Sequence, residues 1–122
     1  NLIKSHKELN VFRLAFKTSM EIYSVTKPFP VDEFIFNIPD QKKLRSVSAN
    51  IAEAYRKRRY EKAFIAKLSD SEAESAETQV WLDYALECNY ISKETYDKLF
   101  QDYEKIIGMI VIMILHPEKW SI

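Results

Sequence analysis

Apolar residues recur at intervals of three and four positions along almost the whole chain, and the strict alternation typical of strands is nearly absent. This periodicity predicts four helices. The segments between them are short, and short connections favour antiparallel neighbours. The pattern therefore predicts an all-α fold, an antiparallel up-down four-helix bundle, with residues 1–122 forming a single domain.

The first two predicted helices have recognisable ends. Ser5 and Glu8 have the spacing of a capping box, and Pro28 follows the first helix closely enough to end it. Pro39 suits the first turn of the second helix, after the loop VDEFIFNIPD. The predicted apolar stripe of helix 1 is Leu9, Phe12, Phe16, Met20 and Tyr23. The predicted apolar face of helix 2 is Leu44, Val47, Ile51 and Tyr55.

A third helix is predicted from Glu61 to about Glu87, and its inner stripe is unusually small and polar. Asn89 and Tyr90 form the following turn, and Ser92 is the predicted N-cap of the fourth helix. The inner stripe of helix 3 is Phe64, Leu68, Ser71, Ser75, Thr78, Leu82 and either Ala85 or Leu86. The apolar positions of helix 4 are Leu99, Tyr103, Ile106, Ile107, Ile110, Met113 and Ile114.

The end of helix 4, from Ile106 to Leu115, is apolar on nearly every side. It is about half as long as the roughly 20 residues that span a bilayer, so we expect no membrane association. A helix that is apolar all round is usually buried all round. The excess apolar surface favours a subunit interface, and the alternative is a central helix covered by a loop.

Composition excludes several classes of function. One glycine leaves no material for phosphate-binding loops, and one cysteine, Cys88, excludes disulfide frameworks and paired-cysteine metal sites. We interpret Cys88 as a core thiol. Neither His6 nor His116 has the glutamate three positions earlier that diiron bundles use. With no leader-like segment, we expect a cytoplasmic protein without cofactor, metal or catalytic residues, and not an enzyme.

The formal net charge is zero, but the charges are segregated. Residues 42–62 carry eight cations against two carboxylates, and residues 69–104 carry ten carboxylates against two lysines. The candidate nucleic-acid-binding residues are Lys42, Arg45, Arg56, Lys57, Arg58 and Arg59.

Three interpretations of this basic cluster remain open. It is the solvated end of a helix, a surface for RNA or DNA phosphates with Tyr55 and Tyr60 stacking on bases, or a partner for the acidic segment of a neighbouring subunit. Ala49 and Ala52 share the arc of Arg45, and such small residues also suit the close approach of another helix.

A layer of polar residues is predicted between helices 2 and 3. Because buried polar groups must be hydrogen-bonded, a structural network is favoured over acid or base chemistry. Its predicted members are Asn50, Glu53, Glu74 and Thr78.

Long ordered stretches of the chain resemble a known bacterial family. They are KELNVFRLAFKTSMEIY, FPVDEF, SVSANIAEAYRKRRYEKAF and SDSEAESAETQVWLDYALECNYIS. The family is that of four-helix bundle proteins encoded in intervening sequences of 23S ribosomal RNA genes, the S23 family. The commoner family pattern is close to SIPSNIAEG, whereas this chain has Ala54 in place of the glycine.

The resemblance implies a bundle that assembles into a ring, typically a homopentamer, without enzymatic activity. A related branch, the accessory variability proteins of diversity-generating retroelements, implies a basic barrel that binds nucleic acid and a reverse transcriptase. The implied partners of this chain are therefore itself, RNA or DNA, and an enzyme that acts on nucleic acid.

Overall fold

The structure, a computed structural model, describes residues 3–27 and 41–120, with the side chains of residues 41 and 42 left aside. Its four helices are α1 (Asn10–Thr26), α2 (Gln41–Arg56), α3 (Glu61–Glu87) and α4 (Lys93–Leu115). Short 3₁₀ turns, His6–Glu8 and Pro117–Lys119, flank them. No strand occurs within these ranges, which confirms the predicted all-α class.

The helices form an up-down bundle in which each is antiparallel to the next. The helix pairs in contact are α1 with α2, α2 with α3, α3 with α4, and α4 with α1, so that α1 and α3 lie diagonally opposite. One contact from each pair shows the register: Ser19 with Leu44, Lys43 with Glu77, Tyr96 with Asp83, and Lys98 with Glu21.

The helix ends follow the local sequence. The capping box of Ser5 and Glu8 is present, but it closes the 3₁₀ turn, and α1 begins only after Leu9 adopts an extended conformation. The Ser92 hydroxyl accepts a 3.0 Å hydrogen bond from the Thr95 amide, as expected of an N-cap. Asn89 has φ 61°, a left-handed conformation that asparagine tolerates, and it turns the chain between α3 and α4. Pro39 and the loop VDEFIFNIPD lie outside the described residues.

The buried faces of α2, α3 and α4 agree closely with prediction. All four predicted core residues of α2 are buried, and so is the small and polar stripe of α3, with Ala85 rather than Leu86 at its end. On α4, Ile107 and Ile114 are only partly buried. The buried residues of α4 are Leu99, Tyr103, Ile106, Ile110 and Met113.

The predicted apolar stripe of α1 is wrong from Phe16 onward, whereas Leu9 is buried and Phe12 packs against the core. Phe16 is 54% exposed, Met20 49% and Tyr23 37%, and Phe12 is half-buried. The residues of α1 that enter the core are mostly small: Val11, Ala15, Thr18, Ser19, Ile22 and Thr26. Small side chains let α1 approach α2 closely enough for the Ser19 hydroxyl to donate to the Leu44 carbonyl at 2.8 Å.

The structure also bears on the predictions for the end of α4 and for Cys88. The end of α4 leaves Ile112 62% and Leu115 66% exposed, so a single chain does not cover it within the described residues. None of the described helices is both long enough and apolar enough to cross a membrane. Cys88 is exposed at the end of α3, so its interpretation as a core thiol is wrong.

Candidate nucleic-acid interface

Four residues of the basic cluster, Arg56 to Arg59, lie at the end of α2 and in the turn between α2 and α3. Arg56 is the last residue of α2, and the backbone then turns tightly, with the Tyr60 amide donating to the Lys57 carbonyl at 2.9 Å. The unpaired carbonyls at a helix C-terminus carry partial negative charge, which favours cations there. The local fold thus accounts for a cationic helix end.

Arg58 caps that helix end. Its Nη1 donates to the Tyr55 carbonyl at 2.7 Å, and its guanidinium carbon lies 3.8 Å from the centre of the Tyr55 ring. A planar guanidinium suits this combination of a hydrogen bond and stacking on an aromatic face. Arg58 therefore has a structural role at this position.

The two tyrosines proposed to stack on bases have different environments. Tyr55 is only 4% exposed, and its hydroxyl donates to the Ile3 carbonyl at 2.9 Å. With Arg58 over its face, Tyr55 is a core anchor and does not offer a stacking surface. Tyr60 is largely exposed and does.

Three cations of the cluster project into solvent without an anionic partner in the part of the chain that the structure describes. Arg56, Lys57 and Arg59 are exposed, and none lies in an ion pair with a described carboxylate. Within the described ranges, four lysines elsewhere on α2 to α4 are ion-paired, such as Lys43 with Glu77 at 2.9 Å and Lys67 with Glu53 at 3.2 Å. The end of α2 is therefore a concentration of uncompensated positive charge.

Arg45 lies on the same side of α2 as Arg56. Eleven residues separate them, which places the two side chains within about 20° around the helix axis at about 100° per residue. Ala49 and Ala52 lie between them on that stripe, and within the described chain they are exposed and half-buried rather than covered by a helix. The side chain of Lys42 lies outside the described residues.

A groove of about 220 Å³ separates α1 from the first half of α2. The exposed large side chains of α1 form one wall, and Leu44, Arg45 and Ser48 of α2 form the other. Its lining residues are Phe16, Ser19, Met20, Tyr23, Leu44, Arg45 and Ser48. Because the sequence pattern assigned Phe16, Met20 and Tyr23 to the core, it missed this groove. A second stripe on α1, which includes Ala15, Thr18 and Ser19, has the same helical spacing and identifies the true inner face.

The predicted polar layer is distributed differently from expectation. Glu53 lies at the surface with Lys67, and the Thr78 hydroxyl donates to the Glu74 carbonyl at 2.9 Å within α3. The bond that links α2 and α3 internally runs from Ser71 to the Val47 carbonyl at 2.8 Å. Among the described side chains no group of three or more His, Cys, Asp or Glu is placed to hold a metal ion.

Tyr103 lies fully buried in the bundle. Burial raises the pKa of its phenol from 10.0 to about 12, and Ser19 opposes part of this shift. The two hydroxyls do not meet hydrogen-bond geometry, so the phenol has no partner among the described groups. Burial disfavours the charged phenolate, so the neutral phenol persists above the ordinary pKa of tyrosine.

Comparison with known proteins identifies the fold and its relatives. The family model described as "23S rRNA-intervening sequence protein" matches residues 7–111. The chain is also similar to a crystal structure from Bacteroides thetaiotaomicron, a protein of unknown function from the S23 ribosomal protein family. That likeness has a TM-score of 0.70 and 28% sequence identity, and it covers 85% of this chain and 90% of the other. No curated protein matches the chain.

Proposed function

The chain belongs to the family of 23S rRNA-intervening sequence proteins, and we propose that it is a non-enzymatic, oligomeric four-helix bundle that binds RNA or DNA through the basic end of α2. The residues proposed to contact phosphates are Arg56, Lys57 and Arg59, with Arg45 extending the surface along the helix. We place it in the cytoplasm, where it would present nucleic acid to a partner enzyme.

This proposal rests on the contrast between cations that are ion-paired within the chain and cations that have no described partner. On α2 to α4, several lysines neutralise a carboxylate of their own chain, whereas Arg56, Lys57 and Arg59 have no described anionic partner. Three adjacent, exposed and unpaired cations repel one another in the isolated chain, and a polyanion relieves that repulsion. Phosphates also release condensed counterions when such cations bind them.

Self-association is the second part of the proposal. The chain as a whole is neutral, and domains that bind nucleic acid alone are usually basic. Assembly of several copies gathers one basic helix end from each into a single multivalent surface, which raises the overall affinity. The exposed apolar end of α4, with Ile112 and Leu115, supplies surface for such contacts. A homopentameric ring is the form that the family resemblance implies.

A protein-interaction scaffold is the competing function. The acidic segment leaves carboxylates exposed along α3, including Asp70 and Glu87. In a scaffold these would pair with the basic cluster of the neighbouring copy. Salt separates the two functions, because phosphate binding weakens steeply with salt while the oligomer survives, whereas an ion-paired assembly itself loosens.

The test compares the native chain with an Arg56→Gln/Lys57→Gln/Arg59→Gln variant. Light-scattering mass and affinity for a mixed-sequence RNA are measured between low and moderate salt. Arg58 is left in place because it caps α2. We expect the variant to keep its mass but lose most RNA affinity, and the slope of log affinity against log salt to fall by roughly two for three lost contacts.

A charge-matched control removes three exposed lysines of α4, as Lys93→Gln/Lys98→Gln/Lys105→Gln. This control should retain the native salt slope, since α4 lies diagonally opposite α2 and the described residues of the two helices make no contact. If the native chain takes up neither RNA nor DNA and the cluster variant dissociates, the scaffold function is correct and the nucleic-acid proposal is wrong.

A further inference from the structure

We propose that the groove between α1 and α2 is a base-binding site for single-stranded nucleic acid, in which Phe16 and Tyr23 stack on bases and Arg45 binds a phosphate. This inference rests on the proposed function and adds a selectivity to it. The basic end of α2 binds phosphates of any strand, whereas the groove accepts only bases that are not paired.

The first wall of the groove offers aromatic surface. Phe16 and Tyr23 are seven residues apart, which puts them on one side of α1 two turns from each other. Phe16 also stacks on Phe12, with ring centroids 6.1 Å apart and an angle of 23° between the rings. Base stacking on aromatic side chains tolerates any sequence because every base has a π-face. The large exposed rings that are out of place in a bundle core suit this role.

The opposite wall offers cations and little bulk. Arg45 lines the groove, and the stripe Arg45, Ala49, Ala52 and Arg56 continues along α2 for about 16 Å at 1.5 Å per residue. The two alanines leave this stripe open, so a strand held at Arg45 can continue toward the basic end of α2. The proposed groove and the phosphate-binding cluster thus form one track.

The carboxylates of α1 and α2 are turned away from this track. Glu21 is the only carboxylate of α1 and Glu53 the only one of α2. Each is paired on the other side of its helix, Glu21 with Lys98 of α4 at 2.6 Å and Glu53 with Lys67 of α3 at 3.2 Å. Aromatic rings, with an arginine that no carboxylate opposes among the described residues, match a ligand that is both flat and anionic. Nucleotides have both properties.

The test measures binding of a 12-nucleotide single strand that carries 2-aminopurine, and of the blunt duplex of the same sequence. A Phe16→Ala/Tyr23→Ala variant should lose about 10-fold or more in single-strand affinity, as expected for removal of a stacking contact, with the duplex affinity unchanged. The 2-aminopurine fluorescence should be quenched by the native chain and not by the variant. RNA and DNA versions of the strand show which sugar the site accepts.

Two further variants keep the test decisive. Tyr84→Ala removes an exposed tyrosine from α3, diagonally opposite α1, and should leave both affinities unchanged. Arg45→Gln should weaken single-strand binding even if the double variant fails to fold by circular dichroism.

The outcomes distinguish this inference from the proposed function. If the groove variants bind both probes as the native chain does, while the Arg56→Gln/Lys57→Gln/Arg59→Gln variant binds neither, the groove inference is wrong and the proposed function stands. If no probe binds the native chain, both are wrong. If the groove variants instead reduce the light-scattering mass, a second copy of the chain occupies the groove and the inference is overturned.

Discussion

The two sides of α2 differ sharply in how they meet their neighbours. Toward α3, Lys43 pairs with Glu77, Glu53 pairs with Lys67, and a buried bond joins Ser71 to the Val47 carbonyl. Toward α1, the Ser19 bond to the Leu44 carbonyl is the only hydrogen bond between the described residues of the two helices along the groove, and Arg45 has no described carboxylate partner.

The difference shows that charge alone does not identify a binding residue. Lys43 and Arg45 are two positions apart and both exposed, yet Lys43 compensates a carboxylate of its own chain and Arg45 does not. On the α3 side the polar groups satisfy one another. On the α1 side the hydroxyls of Ser19 and Ser48 are also hydrogen-bonded, and it is the Arg45 guanidinium that has no partner among the described residues.

The largest expected effect compares one core residue with one groove residue. Leu68 is fully buried on α3, so Leu68→Ala should lower the free energy of unfolding by about 3 kcal/mol through lost burial and a cavity. Phe16→Ala should cost about 0.5 kcal/mol, because the ring is more than half exposed. Urea denaturation measures both. A Phe16→Ala cost as large as that of Leu68→Ala would mean that the groove is covered in solution.

The second prediction concerns Tyr103 and alkaline pH. The pKa of its phenol is about 12 in the folded chain and near 10 once unfolded. Below pH 10 the phenol is neutral in both states, and between pH 10 and 12 it ionises in the unfolded chain first. Stability should therefore fall as pH rises through this window, by up to about 3 kcal/mol from this residue.

Tyr103→Phe isolates that contribution, since other tyrosines and lysines titrate in both proteins. The variant should lose less stability than the native chain between pH 10 and 12, as measured by urea unfolding at each pH. If the native chain and the variant lost stability equally between pH 10 and 12, water would have to reach Tyr103 in the folded chain. The groove lined by Ser19 would then extend into the core.

A third comparison uses two buried serine hydroxyls, one on each side of α2. Ser71→Ala removes the bond to the Val47 carbonyl between α3 and α2 and should cost about 1 kcal/mol. Ser48→Ala removes a bond to the Arg45 carbonyl within α2 at the groove and should cost about half as much. Thermal and urea unfolding of both variants measure the two costs. A larger cost for Ser48→Ala would contradict the conclusion that α2 is held more firmly to α3 than to α1.

The smallest expected effect is that of the surface ion pair. A double-mutant cycle with Lys43→Met and Glu77→Met should give a coupling of about 0.5 kcal/mol that decreases with salt, as for other exposed pairs. Arg45→Gln should leave stability unchanged, since it breaks no described ion pair. A stability loss on Arg45→Gln would place an anionic partner against this residue within the folded chain.

Sequence periodicity predicted most of the fold because α2, α3 and the first half of α4 each have only one plausible inner face. On α1 two stripes compete, one of large residues and one of small residues, and apolar size favoured the wrong one. The inner face of α1 depends on close approach to the backbone of α2, which only the three-dimensional packing reveals.

The candidate site was predictable in part. The cationic run at the end of α2 is visible in the sequence, but the capping role of Arg58 and the burial of Tyr55 depend on contacts with the Tyr55 carbonyl and with Ile3. The pairing of Glu53 with Lys67 joins two helices and has no local signal. Long-range partners such as these decided which charged residues remain free.

The exposed Cys88 provides a labelling site at one end of the bundle. Cys88 is the only cysteine in the sequence and lies just after α3. The cations from Arg56 to Arg59 lie just before α3, about 40 Å away along a helix of 27 residues. A single fluorescent dye on Cys88 therefore marks the end of the molecule nearest Tyr23 and Arg45. Energy transfer to a dye on the 5′ or the 3′ end of a bound strand would report in which direction that strand runs.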